Sequence, residues 1–133
     1  MSVTIYVPRD SAALSLGANE VADAVVREAG SRNLDVQLVR NGSRGMLWLE
    51  TMVEVATEQG RIAYGPVTED DVAGLFDAGM ATGGEHALRL GVTEELPWMQ
   101  KQTRLTFVRV GVTDPVSLKD YSEHDGLAGL KKA

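Results

Sequence analysis

The alternation of apolar and polar residues changes period several times along the first 79 residues, and each change predicts an element. Val3-Thr4-Ile5-Tyr6-Val7 is β-branched and aromatic and stops at Pro8, which predicts a first strand. Arg9-Asp10-Ser11 follows as a polar turn. From Leu14 to Asn33 the period lengthens: Leu14, Ala18, Val21, Val25 and Ala29 recur every three or four positions, while Glu20, Asp23, Arg27 and Glu28 lie elsewhere on the wheel. That spacing predicts a helix with its true start marked by Gly17 and its end near Gly30-Ser31. Leu34–Arg40 alternates as a half-buried strand, and the turn formers Asn41-Gly42-Ser43-Arg44-Gly45 predict a loop. Alternation resumes from Leu47 to Ala56, turns at Glu58-Gln59-Gly60 and returns over Arg61–Tyr64, the pattern of a hairpin. Thr68-Glu69-Asp70-Asp71 fits a helix start with a capping hydroxyl, Val72, Leu75 and Phe76 supply an apolar stripe, and Gly79 supplies the stop.

The predicted order is βαβ, then a β-hairpin, then a helix. A right-handed βαβ unit sets its two strands parallel, and the hairpin adds two antiparallel strands to the same sheet. The expectation is an α/β sandwich of thioredoxin-like topology (βαβ-ββα) over residues 1–79, followed by an extended tail. Within that tail, residues 80–104 open on the small, glycine-rich Met80-Ala81-Thr82-Gly83-Gly84-Glu85 and show no clean period over 86–104, so they are read as a linker. Leu105–Val112 alternates weakly as a strand, and Asp114-Pro115 resembles a helix start with Pro at the first helical position.

Composition narrows the functional classes. The chain has 133 residues, with 13 Lys and Arg against 19 Asp and Glu, for a formal net charge of −6. An acidic balance argues against a nucleic-acid module, which carries a basic face. No apolar run approaches the ~18 residues of a membrane span, and no charged-then-apolar leader opens the chain, so the expected location is cytoplasmic. There is no Cys at all. That excludes thiol nucleophiles, disulfides, CxxC redox pairs and iron–sulfur ligation by this chain's thiolates.

Candidate chemistry is sparse. His86 and His124 lie in the tail without metal-ligand spacing or a G-x-S-x-G serine, and read first as surface histidines. Arg40 and the loop from Asn41 to Gly45 offer either an anion-binding nest, a turn needing positive φ, or a partner-docking loop through Arg40, Asn41 and Arg44. Trp98, between Pro97 and Met99, is either packed on the core or an anchor on a neighbouring subunit. Glu69, Asp70 and Asp71 are explained by helix capping. No catalytic, cofactor-binding or metal-ligating residue is assigned.

Two segments resemble known families. Thioredoxin-like [2Fe–2S] ferredoxin domains carry a ligand pair after strand one with a short A-L-x-G-A element; here that stretch is Ala13-Leu14-Ser15-Leu16-Gly17-Ala18. Their second ligand pair precedes a P-x-V-x-V strand and then Y-G-x-V-T; here these are Met52-Val53-Glu54-Val55 and Tyr64-Gly65-Pro66-Val67-Thr68. On that register the four ligand positions fall at about Pro8, Ala13, Ser43 and Leu47, so the resemblance implies a ferredoxin-type domain without its cluster. The second segment, Gly111-Val112-Thr113-Asp114-Pro115-Val116-Ser117-Leu118-Lys119-Asp120-Tyr121, resembles the opening of the NADH-binding flavoprotein subunit of respiratory complex I. Its G-G-Y-x-x-L element is represented by Asp125-Gly126-Leu127-Ala128-Gly129-Leu130, with Asp125 for Gly and Leu127 for the aromatic.

A cluster-less thioredoxin-like domain joined to a flavoprotein opening is similar to the beta subunits of NAD-dependent, molybdenum-containing formate dehydrogenases. The resemblance implies three parts: a domain over 1–79, a linker over 80–104, and the opening of a flavoprotein domain over 105–133. It implies FMN, NAD and iron–sulfur clusters in the remainder of a longer subunit and none in this segment. The implied partners are that remainder and the other dehydrogenase subunits, with no nucleic acid and no membrane. The alternatives are a stand-alone adapter, or a small non-thiol enzyme using His86 or His124.

Overall fold

The computed structural model describes residues 2–133. Strand β1 (Val3–Tyr6) is followed by two helices, α1 (Ser11–Ser15) and α2 (Ala18–Ser31), and by strand β2 (Val36–Val39). Strands β3 (Val53–Thr57) and β4 (Gly60–Tyr64) form the hairpin, helix α3 (Asp71–Asp77) follows, and β5 (Arg89–Val92) completes the sheet. The tail carries short helices α4 (Pro97–Gln100), α5 (Leu118–Glu123) and α6 (Ala128–Lys132). None of the described helices is long and apolar enough to cross a membrane.

The sheet order is β2-β1-β3-β4-β5. β1 and β2 run parallel with Val3 opposite Val36, as the βαβ handedness requires. All other neighbours are antiparallel, with Ile5 opposite Val55 and Val55 opposite Ile62. Alternation then sorts the side chains. Ile5, Val53, Val55, Ile62 and Tyr64 meet Val21, Val25, Leu75 and Phe76 of α2 and α3 in the main core. Ala63 instead belongs to a smaller cluster with Met46, Met52 and Met99 on the other face. Tyr6 and Glu54 are paired neighbours of that same phase, so the pleat places a carboxylate on the central strand beneath the loop and the tail.

Several elements depart from the sequence pattern. Gly17 does mark a helix start: its φ of 91° makes it the left-handed residue before α2. The helix also ends where expected, at Ser31, with Arg32 as its cap. The stretch expected as strand from Leu47 begins as a 3-10 turn over Leu47–Leu49, because the Leu49 amide bonds back to Met46 and the Glu50 amide to Leu47. At α3 the expected cap is reversed: the Thr68 hydroxyl and amide both donate to the Asp71 carboxylate, at 2.7 and 2.8 Å. These bonds hold the Asp71 pKa below the ordinary carboxylate value.

The tail departs furthest. Residues 80–104 are not a plain linker, since β5 lies within them and pairs with β4 across a register shift at Ala63/Tyr64. The sheet therefore extends past Gly79. Leu105–Val112 forms turns instead of a strand, its amides closing locally from Val110 to the Phe107 carbonyl and from Val112 to the Arg109 carbonyl. Asp114-Pro115 does not start α5; Ser117 does, accepting from the Asp120 amide at 3.1 Å.

Candidate functional site

The loop from Arg40 to Leu47 docks on the end of β1, which is where the ferredoxin register places the two ligand pairs. Val7 donates to Val39 and Arg9 to Asn41 along the backbone, both at 3.0 Å. Arg40 closes the seam by donating to the Val7 and Pro8 carbonyls and to Asn19 Oδ1. Pro8 and Ala13 are buried beneath it, Ser43 is half-buried, and Leu47 is 55% exposed. Ser43 Oγ donates to Glu50 Oε1 at 2.9 Å and accepts from the Gly45 amide at 3.0 Å. One engaged hydroxyl and three hydrocarbon side chains do not fit a [2Fe–2S] cluster, which is held by thiolates. Among the described residues no three His, Asp or Glu converge as a metal-ligand set.

Charge organises the loop. Glu54 sits on β3 with its side chain 1% exposed and receives a fork from Arg44, Nη2 to Oε1 at 2.9 Å and Nε to Oε2 at 3.2 Å. Thr93 Oγ1 donates to Oε1 at 2.7 Å and Asn41 Nδ2 to Oε2 at 3.3 Å. Arg44 reaches out to Glu94 at 2.8 Å. Arg61 sits over the Tyr6 ring, its Cζ 3.5 Å from the centroid, with Nη1 3.9 Å from Glu54 Oε2. Burial lowers the Arg61 pKa against the pull of Glu54. Nearby, Glu50 is buried, accepts the Met52 amide at 3.0 Å, and has its pKa raised, first by burial and further by the negative charges of Asp10 and Glu54.

The tail is strapped over this network. Asn41 Nδ2 donates to the Gly111 carbonyl at 2.8 Å, Arg61 Nη2 to the Val112 carbonyl at 2.9 Å, and Arg9 pairs with Asp114 at 2.7 Å. Gly111 has φ +77°, and a Cβ there would stand 2.6 Å from Arg44 Cδ and 2.8 Å from the Ser43 carbonyl oxygen. Only glycine allows the strap this close.

The loop expected to dock partners thus turns inward: Asn41 and Arg44 are 2% and 4% exposed and bond to Glu54, and Arg40 is spent on β1. Trp98 behaves differently. It is 48% exposed and meets Trp48, 60% exposed, edge to face at 5.2 Å. Beside them lies an open groove of about 780 Å³ walled by Leu47, Trp98, Arg104, Leu105, Phe107 and Val110. Trp48, Leu105 and Phe107 carry no sequence signal of this cluster, because each lies in an alternating stretch that predicts a strand. The two histidines are not brought into joint chemistry: His86 Nδ1 accepts the Leu88 amide, and His124 Nδ1 lies 3.1 Å from Asp120 Oδ1.

This fold, with its βαβ unit and hairpin, is the thioredoxin-like fold of ferredoxin type. The wild-type thioredoxin-like [2Fe-2S] ferredoxin from Aquifex aeolicus is similar at a TM-score of 0.55 and 19% identity, covering 67% of this chain and 96% of that one. A cysteine-to-serine variant of the same ferredoxin gives 0.56 and 20%, covering 67% and 98%. No protein-family model matches the sequence, and no curated protein matches it.

Proposed function

We propose that this chain is a non-catalytic scaffold domain of an electron-transfer assembly, and specifically the N-terminal domain of the NAD-reducing flavoprotein subunit of a formate dehydrogenase. In the intact complex electrons from formate would pass through iron–sulfur clusters and FMN to NAD, all held outside this segment. The observation that carries the reading is a ferredoxin-type fold in a chain without cysteine; by the resemblance its four cluster positions fall at about Pro8, Ala13, Ser43 and Leu47, and Ser43 is bound to Glu50. The finer assignment rests on the resemblance of the Gly111–Tyr121 segment to the flavoprotein opening.

The purified chain is expected to be colourless, free of iron and flavin, and without oxidoreductase activity. Stoichiometric iron with visible iron–sulfur absorption would overturn the scaffold reading. Co-expression with formate dehydrogenase subunits tests the finer one, and is expected to give a stable complex. A stand-alone adapter is the second reading, favoured by the exposed Trp48–Trp98 pair. A reading frame that continues into a glycine-rich flavin loop would decide for the subunit domain.

A further inference from the structure

Charge and exposed apolar surface coincide in one segment. From Leu96 to Thr113 the chain carries Lys101, Arg104 and Arg109 and no carboxylate, although the whole chain is at −6. The same segment exposes Trp98 (48%), Leu105 (81%) and Phe107 (64%) beside the groove next to Trp48. Arg109 is already engaged, donating to the His124 carbonyl and lying 5.3 Å from the Tyr121 ring centroid. Lys101 and Arg104 form no ion pair within 4.0 Å among the described residues. Arg104 is half-buried in the groove wall, where a guanidinium that has lost part of its water gains most from a carboxylate fork.

Resting on the scaffold-domain reading, we propose that this groove docks a partner protein through an acidic amphipathic segment. Leu- or Phe-type side chains of the segment pack on Trp98, Leu47 and Phe107, and a carboxylate meets Arg104. Aromatic walls beside Arg104, with the other lining guanidinium, Arg44, already paired to Glu54 and Glu94, supply both the anchor and the register of such a contact. A two-fold contact between copies of this chain would lay the carboxylate-free stretch from Leu96 to Thr113 on its own image, and that stretch offers Arg104 no carboxylate. An anionic membrane is recognised by clusters of roughly four to eight cations, whereas this face has two that are free.

The test uses the full chain and two synthetic peptides, one acidic and amphipathic with Leu and Phe on one face, the other its Lys-for-Glu counterpart. Calorimetry should show saturable binding of the acidic peptide only. Trp98→Ala and Arg104→Glu should each weaken it by about tenfold or more, Lys131→Ala should leave it unchanged, and Arg104→Glu should gain the basic peptide. The proposal is overturned by equal binding of the two peptides, by indifference to Arg104, or by no binding. It is overturned as well if phosphatidylglycerol vesicles bind with the same dependence on Arg104, or if the chain sediments as a dimer that Trp98→Ala dissociates. Loss of peptide binding in an iron-free protein removes this surface alone; cluster iron removes the scaffold reading instead.

Discussion

Glu54 is the residue on which the second face of the sheet depends. It lies on a central strand, 1% exposed, and four side chains converge on it. Removing one partner of such a pair strands the other charge in a dry site, which typically costs about 3–5 kcal/mol. Glu54→Gln and Arg44→Met should each lower stability by about that amount in urea denaturation. The double variant should cost less than the sum by about 2 kcal/mol, since both remove one interaction. Additive losses would show that the fork is not a coupled unit. None of this was legible in the sequence. Alternation placed Glu54 opposite Val53 and Val55, which is the ordinary pattern of a solvent-facing residue. Pattern reports which side chains share a face, but the groups that cover this one come from outside the strand, from Asn41 and Arg44 before it and Thr93 after it.

At the scale of elements, legibility follows local periodicity. The βαβ unit, the hairpin and α3 were readable because each repeats its period long enough to be seen. β5 was not: its four residues, Arg89-Leu90-Gly91-Val92, are all half-buried, so they show no alternation, and Gly91 adopts φ +104°. The strap was misread for the opposite reason, since Leu105 and Phe107 alternate but point to solvent. Its seating depends on Gly111, where an added Cβ meets the Ser43 backbone oxygen, an atom that cannot swing aside. Gly111→Ala should therefore unseat the strap at a local cost of about 1–3 kcal/mol. Hydrogen exchange should accelerate at Val112 and Thr113 and stay slow in β3 and β4. Unchanged protection at the strap would refute the close-approach argument.

At the scale of the whole molecule, charge sets the response to pH. Glu50 is the buried carboxyl whose pKa stands above its ordinary value of 4.5. With the folded value above the unfolded one, its stabilising contribution is complete below pH 4.5 and is lost as pH rises through the raised folded value. Asp71 has the opposite sign: its contribution is present above 3.8 and is lost only at lower pH, so the two windows do not overlap. Glu50→Gln keeps the hydrogen-bonding shape, with the amide donating to Ser43 Oγ and its oxygen accepting the Met52 amide. The variant should melt higher than the parent at pH 7 and at the same temperature near pH 4. A constant difference across that range would show that ionisation of Glu50 is not what matters. One arrangement also makes the molecule report on itself. The chain has two tryptophans, and they stand edge to face at 5.2 Å, one from the loop after Met46 and one from the tail. Strong indole transitions that close couple, so the far-ultraviolet circular dichroism should carry a split signal that is lost when loop and tail separate, a label already written into the chain.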